Sequence, residues 1–446
     1  MPIIRTCIRI LAGLVFVVSI SAFADAPLAI PDTPAGRVLS AWLDAFNSGD
    51  EARIDAFVKI YQPPLGADQM KFFRKATGGF DVLAIEKSDK STSVFRVKEK
   101  ASTTQALGKL ALKESQPVTV ARLELFVAAP NEKYTEYVLD AAERARVVDA
   151  AQHQLDDFYV FPDAAKKMGA ALRAHLKHGD YDSIVDGGIF ADKLTDDLRG
   201  ISHDKHLSID FSPQAHPEQK PDNKEKKAEN DAQLRKSMAH DNCGFEKAEH
   251  LPSNIGYLKF NMFAPADVCG PTAVAAMNFL GDSDAIIFDL RENGGGAPRM
   301  IALISTYLFD NPTHLNDLYL RKENTTDQYW TLPYVPGKRL ADKPVYVLTS
   351  KNTFSGAEEF SYNLKNLKRA TLIGETTGGG AHPVGGHRID DHFSINVPFA
   401  RAINPVSKTN WEGTGVEPDV KVPAADALDT AIKLATQKLG ESQTQH

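Results

Sequence analysis

Three segments of this 446-residue sequence carry residues whose types and spacing suit chemistry. Ser355 opens SGAEEFSYNLKNL, directly after the apolar run VYVLTS and a short turn. A serine so placed holds its hydroxyl at a helix N-terminus, where the dipole favours developing negative charge. The same residues, Ser355-x-x-Glu358, also spell a capping box, in which the serine does no more than cap. Asn293-Gly294-Gly295-Gly296 follows the run AIIFDLRE. Glycines there let backbone N–H groups approach a ligand closely, as an oxyanion hole, a phosphate nest or merely a tight turn. His382, His387 and His392 recur every five residues. On a strand that spacing puts neighbours on opposite faces, so three imidazoles cannot converge on an ion. With neither HExxH nor CxxC present, no metal and no cofactor is expected.

These segments need a scaffold, and the surrounding pattern supplies one. IGYLKF, AIIFDL, PVYVLTS and ATLIGE are short, apolar, β-branched runs of the kind that form buried strands. They alternate with helical stretches at 270–280, 297–309, 355–367 and 427–439, which argues for a largely parallel sheet with flanking helices. Ligands bind such sheets at the carboxyl ends of the strands. Both the triple glycine and Ser355 fall there.

Upstream the character differs. GRVLSAWLDAFNSGD carries a helical apolar stripe, and FDVLAIEK, TSVFRVKEK and ARLELFVA then alternate with period two, as antiparallel strands with one wet face do. Residues 25–133 therefore read as an N-terminal α+β domain, and the helices leading into a meander resemble the nuclear-transport-factor-like, or SnoaL-like, fold. Residues 134–211 read as a small helical subdomain, broken at Pro162 and at Gly179-Asp180. Residues 212–250 read as a charged, mobile linker, because Ser212 to Gln233 holds no large apolar residue. The α/β core then spans 251–440, with a disordered tail at 441–446.

Composition narrows the function classes. Apolar residues make up 43% and charged residues 24%, which excludes wholesale disorder and fibrous folds. The formal charge of −7 argues against nucleic acid as a partner, since neutralising phosphates needs a basic surface. Arg5 and Arg9 precede a 14-residue apolar run, Ile10 to Phe23, and Ala22-Phe23-Ala24 supplies a small-x-small cleavage pattern. Residues 1–24 thus read as a signal peptide, giving an exported, periplasmic or extracellular protein without stable membrane insertion after cleavage. Cys7 leaves with that segment. Cys243 and Cys269 remain, either as a disulfide of an oxidising compartment or as two buried thiols.

Taken together, FDLRENGGG (288–296), LTSKNTFSGAEEF (348–360), RATLIGETTGGGAH (369–382) and WEGTGVEPDV (411–420) resemble the tail-specific, or C-terminal processing, serine peptidases. YVFPDAAKKMGAAL (159–172) and FADKLTDDLRGISHDKHLSIDF (190–211) fit the same family. The closer similarity is to the branch that includes interphotoreceptor retinoid-binding protein and is related to the tricorn core protease. The resemblance implies an α/β core of the ClpP/crotonase-like kind with a nucleophile at Ser355. It also implies an oxyanion hole from Gly356 and a glycine of the triple, Gly294 or Gly295 first. One subfamily places a lysine base where this chain has Gly378-Gly379-Gly380, and the tricorn-like alternative uses histidine and glutamate instead. Asp204-Lys205-His206-Leu207 matches the family's D-x-H segment and makes His206 the base. Glu412 then orients and stabilises its imidazolium. Ser202-His203 resembles the tricorn arrangement and makes His203 the second candidate base.

The expected function is an exported serine peptidase acting on unfolded proteins or peptides. The alternative is a non-catalytic carrier of a hydrophobic, retinoid-like ligand on the same fold. A carrier has no need of Ser355, His206 and Glu412 together.

Overall fold

The computed structural model of the protein describes residues 29–443, apart from 114–116, 217 and 219–223. The expected signal peptide at 1–24 and residues 444–446 lie outside the described residues. The chain divides after Tyr134 into two compact units.

In the first unit, α1 (Pro34–Ser48), α2 (Glu51–Tyr61) and α3 (Ala67–Thr77) precede four strands. Thr33 caps α1 by accepting the Gly36 N–H, and Pro34 stands at the first helical position, where its missing N–H costs nothing. β1 (Phe80–Ser88), β2 (Thr92–Glu99), β3 (Gln105–Leu112) and β4 (Val120–Val127) form an antiparallel meander in sequence order. The apolar stripe of α1 packs on one face of that sheet, with Trp42, Phe46, Phe80 and Phe95 at the centre.

The second unit opens with α4 (Ala141–Phe158), α5 (Pro162–His178), α6 (Gly187–Ser202) and the short β5 (Ser208–Phe211). Next come α7 (Lys224–His240), β6 (Phe245–Leu251), β7 (Ile255–Phe260), α8 (Ala266–Phe279), β8 (Ala285–Asp289) and α9 (Pro298–Thr306). β9 (His314–Leu320), β10 (Thr325–Trp330), β11 (Val345–Thr349), α10 (Gly356–Asn366) and β12 (Thr371–Gly374) follow. The last elements are β13 (Val384–Arg388), β14 (Phe393–Pro398), β15 (Ala400–Ile403), β16 (Val420–Lys421) and α11 (Ala427–Gln443).

Six strands form the central sheet in the order β16-β12-β11-β8-β7-β6. All neighbours are parallel except the antiparallel edge pair β6–β7. Helices cover both faces, which is why the inner strands read as unbroken apolar runs. α8, α9 and α10 pack on one side around Phe288, Phe360 and Trp411. α11 lays Ala427, Ala431 and Ala435, four residues apart, on the other.

Two smaller sheets were not legible in the sequence. β10-β9-β15 is one, and β13-β14-β5 is the other. In the latter Phe393 pairs with Phe211 and Asn396 with Ser208, so the end of the helical subdomain becomes an edge of the β13–β14 hairpin.

Two segment readings need correction. Residues 212–250 are not a linker throughout, since they contain α7 and most of β6. α7 lacks an apolar stripe because its Lys, Glu, Ala and Gln residues form helix by propensity, not by burial. Its sequence therefore gives no periodic signal. Likewise α11 continues to Gln443, through residues expected to be tail. Cys243 and Cys269 are joined, tying the start of β6 to α8. Among the described residues no helix is long and apolar enough to cross a membrane.

Behind α10 lies a buried polar group. Glu359, whose N–H donates to the Ser355 carbonyl, sits beside Asn316 and Asn363. Burial pushes its carboxyl up from 4.5 to about 7, against the opposing pull of the two amides. Such a group stabilises the fold fully below its unfolded value, and that contribution is lost as pH rises through the folded one. Glu359→Gln should therefore match the wild type near pH 4 and exceed it by up to about 3 kcal/mol above pH 8 in denaturant titrations. Parallel pH curves for the two proteins would contradict this. Cys243 and Cys269 are 26 residues apart, so replacing both by Ala should lower the unfolding free energy by about 3 kcal/mol in the same assay.

Candidate active site

β8, β11 and β12 lie side by side, and the chain leaving their carboxyl ends builds the site. The loop after β8 is set by Asp289, which is fully buried. Arg291 donates to both of its oxygens and Tyr257 donates to Oδ2, at 2.6–2.9 Å. These bonds hold the Asp289 carboxyl below its ordinary value although burial opposes them. Asn293, also fully buried, donates to the Phe260 carbonyl and accepts the Gly295 N–H. Its own carbonyl accepts the Phe354 N–H, so the glycine loop and the turn carrying Ser355 are stitched together.

That turn is sharp. Ser355 has φ 52° and ψ −120°, a strained conformation for a residue with a Cβ, between a strand and a helix. Its hydroxyl makes no capping hydrogen bond, and Glu358 Oε2 accepts the Ser355 N–H at 2.8 Å. Glu358 is fully buried and accepts three further donors: the Thr377 hydroxyl, the Gly379 N–H and the Gly380 N–H. Burial raises its carboxyl, and these four hydrogen bonds oppose that rise.

The glycine-rich stretch after β12 lies against the serine turn. A Cβ on Gly378 would fall 2.6 Å from the Phe354 ring. A Cβ on Gly380 would fall 2.4 Å from Phe354 Cζ and 2.6 Å from His206 Cε1. Phe354 and His206 pack ring to ring with centroids 4.8 Å apart. His206 stands on the turn between α6 and β5, where its N–H donates to Asp204 Oδ1 and Arg199 braces the Lys205 and Leu207 carbonyls. Lys205 Nζ donates to the Gly378 carbonyl. Burial lowers the His206 ring's affinity for a proton, with His382 and Arg199 adding to the effect and Asp204 opposing it. A neutral imidazole is the form that a general base requires.

The expected site residues are therefore only partly assembled as expected. Ser355 and Gly356 directly follow Phe354 in the chain, and His206 packs on the Phe354 ring. His203 does not join them; it is an exposed left-handed cap at the end of α6. Gly294 and Gly295 spend their N–H groups on the Asn261 carbonyl and on Asn293. Among the hydrogen bonds of the described residues, the N–H groups of Gly296 and Gly356 have no acceptor, and these two backbones are in contact.

Glu412 does not bond His206, whose Nδ1 is buried without a partner. Its Oε2 accepts the Ala381 N–H and lies 3.5 Å from His382 Nδ1. Burial and the neighbouring Asp204 and Glu358 push the Glu412 carboxyl up to about 7, against the pull of His382.

His382 is the residue whose role its spacing concealed. It faces Asp204 across a 2.6 Å contact, while His387 stacks on Phe158 and His392 packs on Tyr137. A signal was available, because Asp204 two residues before His206 needs a partner if buried. The donor atoms of Asp204, His382 and Glu412 lie within 4.8 Å of one another, as ligands of a metal would. Ligands about a tetrahedral ion at ordinary bond lengths stand roughly 3.3 Å apart. The 2.6 Å contact is a carboxylate–imidazole hydrogen bond instead.

Residues 254–422 match the model of peptidase family S41, and residues 140–241 match that of the N-terminal domain of peptidase S41 in eukaryotic IRBP. Together the two cover more than half of the chain. The chain carries a peptidase family S41 domain. A curated relative, the chloroplastic carboxyl-terminal-processing peptidase 1 of Arabidopsis thaliana, is 27% identical over 194 residues, 41% of this chain and 37% of its own length. The chain thus spans well under half the length of that relative. The photosystem II D1 C-terminal processing protease aligns over 64% of this chain and 94% of its own, at 17% identity and TM-score 0.40. The tricorn protease aligns over 80% of this chain and 46% of its own, at 13% identity and TM-score 0.42.

In this S41 chain Gly295 has φ 102°, and a Cβ there would lie 2.6 Å from the Gly356 nitrogen and 2.8 Å from Ser355 Cβ. Gly295→Ala should abolish labelling of Ser355 by a fluorophosphonate probe and lower the melting temperature. Unchanged labelling would show that the glycine loop does not shape the serine turn.

Proposed function

We propose that this chain is an exported serine peptidase that hydrolyses peptide bonds of unfolded proteins or peptides. The observation that carries the reading is the Ser355 turn: a strained serine at the head of α10, with its hydroxyl unused as a cap and His206 against the adjoining Phe354. In the proposed reaction the Ser355 oxygen attacks the scissile carbonyl carbon while His206 takes the hydroxyl proton. The N–H groups of Gly356 and Gly296 receive the developing oxyanion. His206 returns the proton to the leaving amine as the C–N bond breaks, which leaves an acyl-enzyme. Water, deprotonated by His206, then attacks the ester, releases the acid and restores the serine.

Export rests on the leader pattern at 1–24 and agrees with the Cys243–Cys269 bridge, since disulfides persist in oxidising compartments. The negative formal charge favours peptide over nucleic acid as the substrate class.

Ser355→Ala should reduce cleavage of a mixed library of unstructured peptides by at least about 1,000-fold with the fold retained. Fragment ends from the wild-type digest would report the preference. Equal cleavage by both proteins would overturn the reading. No cleavage by either, with a hydrophobic ligand recovered by solvent extraction, would favour the carrier.

A further inference from the structure

The turn that carries His206 and the stretch that carries His382 share one buried carboxylate. Asp204, 1% exposed, accepts His382 Nδ1–H at Oδ2 and the His206 N–H at Oδ1. Oδ1 also lies 4.0 Å from His206 Nδ1, the closest carboxylate to that unpartnered ring nitrogen. His382, 4% exposed, is covered on another side by the Phe161 ring and reached by Glu412 at 3.5 Å. Three segments remote in sequence meet at one imidazole: the α6–β5 turn, the stretch after β12 and the loop before β16.

We infer that His382 is a positioning residue for the peptidase reaction, and that Glu412 acts on His206 through the His382–Asp204 pair and not directly. This rests on the Ser355–His206 reading above. Asp204 is the pivot. Its Oδ2 is fixed by His382 Nδ1–H, which leaves Oδ1 to hold the His206 backbone and to stand beside the ring nitrogen as a counter-charge. Without His382, Oδ2 keeps only the 3.4 Å bond from the Tyr159 hydroxyl, so the carboxylate is held less firmly and the base loses its bearing on Ser355. The charged and titratable groups about His206 and Asp204 are Lys205 and Arg199 from the same turn and α6, Tyr159 from the end of α4, His382 and Glu412 from the glycine stretch and the loop before β16, and Glu358 from α10.

His382→Ala should lower kcat by about tenfold to a hundredfold with KM changed less than about threefold. His382→Asn places an amide N–H close to where Nδ1–H stood and should recover much of that loss. Removing the imidazole should also move the acid limb of kcat/KM to higher pH, because His382 opposes protonation of His206. Glu412→Gln should cost little more in the His382→Ala background than the background itself. An unshifted acid limb with unchanged kcat in a folded variant would overturn the inference, as would independent, multiplying losses. Where His382→Ala does not fold, the acid limb of His382→Asn decides in the same way. Full activity of Ser355→Ala would instead defeat the peptidase reading itself, and loss in Ser355→Ala and His206→Ala but not in His382→Ala defeats only this inference.

Discussion

One carboxylate organises the catalytic end of this sheet. Glu358 sits in the first turn of α10, fully buried, and takes four donors from two different segments. The Ser355 N–H comes from its own turn, and the other three come from the stretch after β12. A buried carboxylate so surrounded is held by oriented dipoles in place of water. The bond to Ser355 N–H helps fix a backbone conformation that costs a few kcal/mol in isolation. The bonds to Gly379 and Gly380 fix the wall that faces it. Trp411 Nε1 then donates to the Gly380 carbonyl and Gly413 N–H to the Gly379 carbonyl, so the loop bearing Glu412 hangs from the same stretch.

In the proposed reaction a histidine, and not a lysine, serves as base, and the packing of that stretch agrees with it. Gly378 and Gly380 have no room for a side chain while Phe354 occupies the space above them, and Gly379 has a left-handed φ of 82° with the Gly413–Gly415 backbone 3.0–3.3 Å from a notional Cβ. A lysine at any of the three positions would collide with Phe354 or strain the backbone. Phe354 fills the volume and turns its ring to His206. The glycines of this stretch and the packing of His206 on Phe354 are thus a single arrangement.

Much of this was legible in the chain itself. The buried strands declared themselves as apolar β-branched runs, because helices cover both faces of the sheet. Ser355 was singled out by its place between strand and helix, where a plain cap stayed an open reading, and its proposed role came only with the family resemblance read from several segments jointly. What escaped reading depends on pairings that no local pattern encodes. α7 is helical without an apolar face. β5 is four residues long and owes its existence to β14, some 180 residues away. His382 was weighed only with His387 and His392, because spacing along the chain was the available measure. Its actual partner, Asp204, is 178 residues distant in sequence.

The two histidines divide a task that a three-residue relay would give to one. His382 has its nitrogen saturated by a buried carboxylate, whereas the Nδ1 of His206 has none within hydrogen-bonding range. A base locked in a short hydrogen bond to a carboxylate would be held toward its protonated form before any substrate arrived. Asp204 stands 4.0 Å away instead, and burial lowers the ring's affinity for a proton. In the proposed reaction, when His206 takes the serine proton, the same carboxylate is near enough to stabilise the new charge without moving far. His382 is what keeps it there: one oxygen is committed to the silent imidazole, so the other remains for the working one.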